Sequence, residues 1–191
     1  MRQIVVAIEN RQSEFNELRR RAIILLEGAD RIEPQDPIRN LPHQFCLWHY
    51  PAFSIHKSWT IFESRSQNSQ SVAREVTWDF PADSARLRNP LVGLKQGFYT
   101  NPTVVIRDGK LPDDEFSSLI EQGRGLNIPL IGIEQGVGLD GVRSGIELFG
   151  LHRVRLEWWG EGPKEWRALT DWVKKFRDFL SDQIERSNPN E

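Results

Sequence analysis

The chain has 191 residues, a formal net charge of −2 and 38% hydrophobic residues, with seven Trp and ten Phe. That length suits one domain, the aromatic content argues against disorder, and the near-neutral charge gives no preference for nucleic acid or an anionic membrane surface. The single Cys excludes an internal disulfide and fits a reducing compartment.

Ile4, Ile8, Phe15, Leu18, Ala22 and Leu25 fit a seven-residue repeat, interrupted by Arg11. This predicts an amphipathic helix from about residue 2 to 27, stopped at Gly28. The rival is a short strand over the β-branched Ile4-Val5-Val6, then a helix from about 12. The narrow stripe can pack on the domain or pair with a second copy of the chain. Arg19-Arg20-Arg21 reads as a solvated face rather than a phosphate site. Ile4 to Ile8 is only five apolar residues before Glu9, too short for a secretory signal. No apolar run approaches the ~20 residues that span a bilayer, so a cytoplasmic location is expected.

Residues 31–42 contain three prolines and read as an ordered connector. Gln44 to Tyr50, Ile55 to Ile61 and Val72 to Phe80 read as strands, the last two joined as an antiparallel hairpin through the polar residues 64–71. Residues 81–102 read as irregular, with Asn89-Pro90 and Asn101-Pro102 as breakers. Thr103 to Arg107 is a strand ended by Asp108-Gly109. Pro112 and the acids after it open a short helix that buries Phe116, Leu119 and Ile120 and stops at Gly123. Ile128 to Ile133 reads as an apolar strand, and Ser144, Ile146 and Leu148 mark another.

The last third turns on Glu157 to Trp166. Val154, Leu156 and Trp158 alternate with Arg153, Arg155 and Glu157, as in a half-buried strand. Gly160-Glu161-Gly162-Pro163 ends it. Trp166, Leu169, Val173, Phe176 and Leu180 then form one stripe of a helix from about 163 to 185. The expected fold is α+β: a mainly antiparallel sheet of six or seven strands with an N-terminal helix, a short middle helix and a C-terminal amphipathic helix. Residues 1–28 form the N-terminal helix, 29–186 the single α+β domain and 187–191 a frayed tail.

Chemistry is harder to find. His43, Cys46, His49 and His56 are zinc-binding types, but on a strand Cys46 faces away from His43 and His49, and those two lie about 20 Å apart at ~3.3 Å per residue. No metal site or cofactor is expected, and nothing near Cys46 in sequence depresses its pKa. Gly136 to Gly141 matches G-x-G-x-x-G, yet Val142 to Leu148 reads as strand where a dinucleotide site needs a helix. Glu134, Asp140 and Glu157, with His152, could supply acid–base chemistry if they converge. Arg153, Arg155 and Trp159 could form a contact face, or pack as cation–π pairs within the domain.

The run Ile128-Pro129-Leu130-Ile131, then Leu139-Asp140-Gly141, then Arg155 to Trp159 with Gly160, Pro163, Trp166, Leu169 and Trp172 resembles a family of small bacterial proteins without assigned function. The resemblance covers about residues 128–180 and implies a compact bacterial cytosolic protein with no named activity. Some proteins of this build are immunity or accessory proteins. The expectation is therefore a non-enzymatic module that binds another protein. The alternative is a small hydrolase using the clustered carboxylates and His152. A homodimer through the N-terminal helix is a further possibility.

Overall fold

The computed structural model describes residues 2–28, 38, 41–63, 70–88, 101–130 and 140–189, with side chains in the first helix from Gln12 onward. Helix α1 (Arg2–Glu27) leads to strands β1 (His43–Pro51), β2 (His56–Phe62) and β3 (Val72–Trp78). Helix α2 (Phe80–Arg88), strand β4 (Val104–Lys110) and helix α3 (Asp113–Arg124) follow. Strands β5 (Val142–Leu148) and β6 (Val154–Trp159) and helix α4 (Arg167–Ser187) complete the order. The six strands form one sheet, β4-β3-β2-β1-β5-β6, with every pair antiparallel. The α+β expectation holds, with six strands among the described residues.

Both faces of the sheet are covered. On one, Phe45, Leu47, Trp59, Ile61, Ile146 and Trp158 pack against Leu169, Val173, Phe176 and Leu180 of α4 and against Phe116 and Leu119 of α3. On the other, Cys46, Trp48, Tyr50, Val76 and Trp78 meet Leu18, Ala22 and Leu26 of α1. The alternation along each strand thus feeds two cores rather than one core and solvent. The first helix does run through residues 4–8, and its carboxyl half packs on the sheet.

The corner after β6 is as the glycines require. Gly160 and Gly162 adopt φ of 61° and 80°, a region that residues with a Cβ avoid. Pro163 then caps a 3-10 turn, Lys164–Trp166, that runs into α4. Helix α4 crosses the sheet from this corner to β4, where Ile184 lies on Gly109 and Asn188 Nδ2 donates to the Asp108 carbonyl at 3.0 Å.

Several expectations need correcting. Residues 80–88 form α2 rather than irregular chain. The Asp79 carboxylate accepts from the Ala82 N–H at 3.0 Å, and Asp83 lies in the first turn. Asp83 then holds the Trp78 indole N–H and the Thr103 backbone N–H, each at 2.8 Å. Strand β4 does not end at Asp108-Gly109: Asp108 takes a two-pronged bond from buried Arg74, both prongs at 2.8 Å, and the strand continues to Lys110. Helix α3 runs past Gly123 to Arg124, and the glycine answers to packing rather than to a helix stop: a Cβ there would sit 2.5 Å from the Trp172 ring. Residues 128–130 carry no strand, and 131–133 lie outside the described residues. The register shift between His43 and Phe45 turns His43 onto the Cys46 side of β1, against the rings of Phe62 and Phe149, so it does not share a face with His49.

Candidate functional site

Two surfaces stand out, and both involve the β5–β6 hairpin. The first is apolar. Leu126 and Ile128, after α3, face Leu148, Leu156, Leu169 and Trp172 across a groove of about 240 Å³. Leu148 and Val154 pair directly across the hairpin and are 41% and 39% exposed, and Leu151 at the tip is fully exposed. Strand β6 is an edge of the sheet, so one side of its backbone pairs with no strand of the sheet. An edge strand beside an apolar groove presents hydrogen-bonding groups and hydrophobic sockets together.

The second surface is a polar cleft of about 370 Å³ between α4 and the ends of β1, β5 and β6. His49 Nδ1 and Ser144 Oγ meet on its floor at 3.0 Å, across the β1–β5 pairing. Burial, reinforced by the nearby Arg177 guanidinium, lowers the His49 pKa to about 4, so the ring is neutral near pH 7. Arg167, Lys174 and Arg177 of α4 and the carboxylates of Glu161 and Asp171 form the rim. Arg167 lies 3.9 Å from Glu161 and 3.6 Å from Asp171.

The residues expected from sequence fall elsewhere. Asp140 precedes β5 and His152 lies in the turn after it, so they sit at opposite ends of the hairpin, separated by at least the ~20 Å length of β5 at ~3.4 Å per residue. Glu157 lies on the α1 side of β6 and pairs with Arg155 at 3.2 Å and Arg143 at 3.5 Å. Glu134 lies outside the described residues. Asp140, His152 and Glu157 therefore do not converge.

Of the expected contact face, Arg155 is already engaged within the chain. It makes a two-pronged bond to Glu27 of α1, at 2.8 and 2.9 Å, and its guanidinium lies 4.2 Å above the Trp48 ring. The Glu27 carboxylate raises the Arg155 pKa. Arg153 is exposed but bonds the buried Glu147, and Trp159 is half-buried beside Gly141. Nothing in the sequence marked His49 and Ser144 as partners, because they are 95 positions apart and meet only through strand pairing.

Among the described residues no three His, Cys, Asp or Glu side chains are placed to hold a metal, and no helix is long and apolar enough to cross a membrane. Cys46 is buried, and desolvation pushes its pKa up to about 12, which removes the thiolate a nucleophile needs. No protein family, curated protein or solved structure matches this chain.

Proposed function

We propose that the protein is a non-enzymatic binding module that takes an extended, apolar segment of another protein along the edge of β6 that pairs with no strand among the described residues. The observation that carries this is the continuity of that edge with exposed Leu148, Leu151 and Val154 and with the groove behind them. Apolar side chains left in water at a sheet edge cost solubility and invite unwanted pairing, so their retention fits a surface that is covered in use. Backbone bonds to β6 supply affinity and the groove supplies selectivity for the side chains that enter it. Masking or positioning a bacterial protein, as immunity and accessory proteins do, suits such a surface and the family resemblance noted above.

The test is site-specific photo-crosslinking in the source cells, with a photoreactive residue at position 151 and, as control, at exposed Asp182 on α4. A discrete adduct is expected from position 151 alone, and Val154→Lys should abolish it while the melting temperature stays within a degree or two. An adduct of twice the chain mass identifies the partner as a second copy. Equal labelling from both positions, or none from 151, overturns the proposal.

A further inference from the structure

The polar cleft shares no lining residue with the apolar groove beside β6. Its floor holds a neutral imidazole and a hydroxyl that share one proton between them at 3.0 Å. If the Ser144 hydroxyl donates to Nδ1, the ring carries its proton on Nε2 and that N–H is unspent. If Nδ1–H donates instead, the hydroxyl proton of Ser144 is unspent. Either tautomer leaves the pair one donor and a fixed orientation.

Its helical wall adds charge. Lys174 has no carboxylate partner among the described residues, and Arg177, only 20% exposed, reaches no carboxylate closer than Asp178 at 3.4 Å. Both rim carboxylates sit instead within reach of Arg167. The cleft therefore offers two incompletely paired cations and one neutral donor, arriving from two different walls. Two positive charges and donors from divergent directions suit a tetrahedral dianion better than a flat monoanion.

We infer that this cleft binds the phosphate group of a phosphomonoester, with Lys174 and Arg177 balancing its charge and the His49–Ser144 pair donating from the floor. The volume of about 370 Å³ exceeds what phosphate alone fills, which leaves room for the esterified group.

The experiment is a titration of the full-length protein with inorganic phosphate and with glycerol phosphate at constant ionic strength, followed by NMR of the imidazole and backbone resonances. The titratable groups around His49 are Arg177 and Asp178 on α4 and His56, with Lys174 on the same cleft wall and Lys57 its cross-strand partner, the last paired with Glu75. A bound dianion adds negative charge to that set, so the His49 pKa should rise from its value of about 4. Lys174→Gln, at an exposed position, should weaken both ligands about tenfold, the loss of one charge-assisted bond, with no change in melting temperature. Arg177→Gln should do at least as much. Absence of a saturable shift at His49 and Ser144, or unchanged affinity in Lys174→Gln, overturns the inference. Acetate binding as tightly as phosphate would instead make this a carboxylate site, and exclusion of glycerol phosphate would rule out an ester.

Discussion

Gly123 and Gly125 lie two residues apart at the end of α3 and should respond to alanine in opposite directions. A Cβ at Gly123 would press 2.5 and 2.8 Å from the Trp172 ring, whereas one at Gly125 has nothing nearer than 3.6 Å and a helical φ of −77°. Gly123→Ala should cost about 1–3 kcal/mol as overpacking. Gly125→Ala should gain about 0.4–1 kcal/mol by restricting the unfolded chain. Urea denaturation of the two variants checks both signs. Cys46 should ignore a thiol reagent in the native protein and react once urea unfolds it, because burial holds its pKa near 12.

Two histidines set an acid limit at the same scale. His56 is packed between the Tyr50 and Phe80 rings, with Nε2 2.9 Å from the Pro51 carbonyl, and burial lowers its pKa to about 4, as it does for His49. Folded values lie below the unfolded value of about 6.5, so the unfolded chain binds the extra protons. Their contribution to stability is complete above pH 6.5 and is lost as pH falls through about 4. His56→Phe should flatten the pH dependence of the denaturation midpoint in that window, and an unchanged slope would refute this assignment.

Elements are held by indoles and ion pairs as much as by apolar stripes. Trp172 Nε1 donates to the Leu119 carbonyl of α3 and Trp166 Nε1 to the Pro129 carbonyl, each at 2.8 Å, so α4 is pinned as well as packed. Trp172→Phe should keep the ring stack on Phe176 and lose about 1 kcal/mol with the hydrogen bond, seen as a lower denaturation midpoint. Glu27 sits at the carboxyl end of α1, where the helix dipole disfavours an acid, and Arg155 and Arg143 offset that cost. Glu27→Ala should speed hydrogen exchange in the last turns of α1 more than in β2 or β3, by the ~1 kcal/mol expected of a partly exposed pair.

The elements that periodicity foretold are those whose side chains keep a regular repeat against the layers they pack on: α1, β1 to β6, α3 and α4. Where a single contact overrides local pattern, sequence reading fell short. Helix α2 was missed although Asp79, Pro81 and Asp83 spell a helix start, because the breakers after it drew the whole stretch into loop. The register shift that turns His43 is invisible in a count of alternating residues. Alternation places Glu75 on one face of β3 but does not foretell its burial, where it takes bonds from Trp59, Lys57 and Arg107 at 3.0, 3.2 and 2.7 Å. The candidate sites were least legible, since the His49–Ser144 cleft and the groove beside β6 exist only after distant segments meet.

At the scale of the molecule, β1 stands near the middle of the sheet and the chain builds outward from it. Strands β1 to β4 are laid down in succession on one side, and the β5–β6 hairpin returns to the other. The β1–β5 pairing is thus the seam between an earlier and a later part of the chain, and forming it requires the longest loop closure in the sheet. Helix α4 starts beside β6 and ends on β4, so it lies across that seam and belongs to the later part while resting on the earlier. A peptide bond cut between α3 and β5 should therefore leave two pieces that stay clasped and co-elute, the second gripping the first like a buckle. The protein is then a natural candidate for a split reporter that works only when both pieces are made.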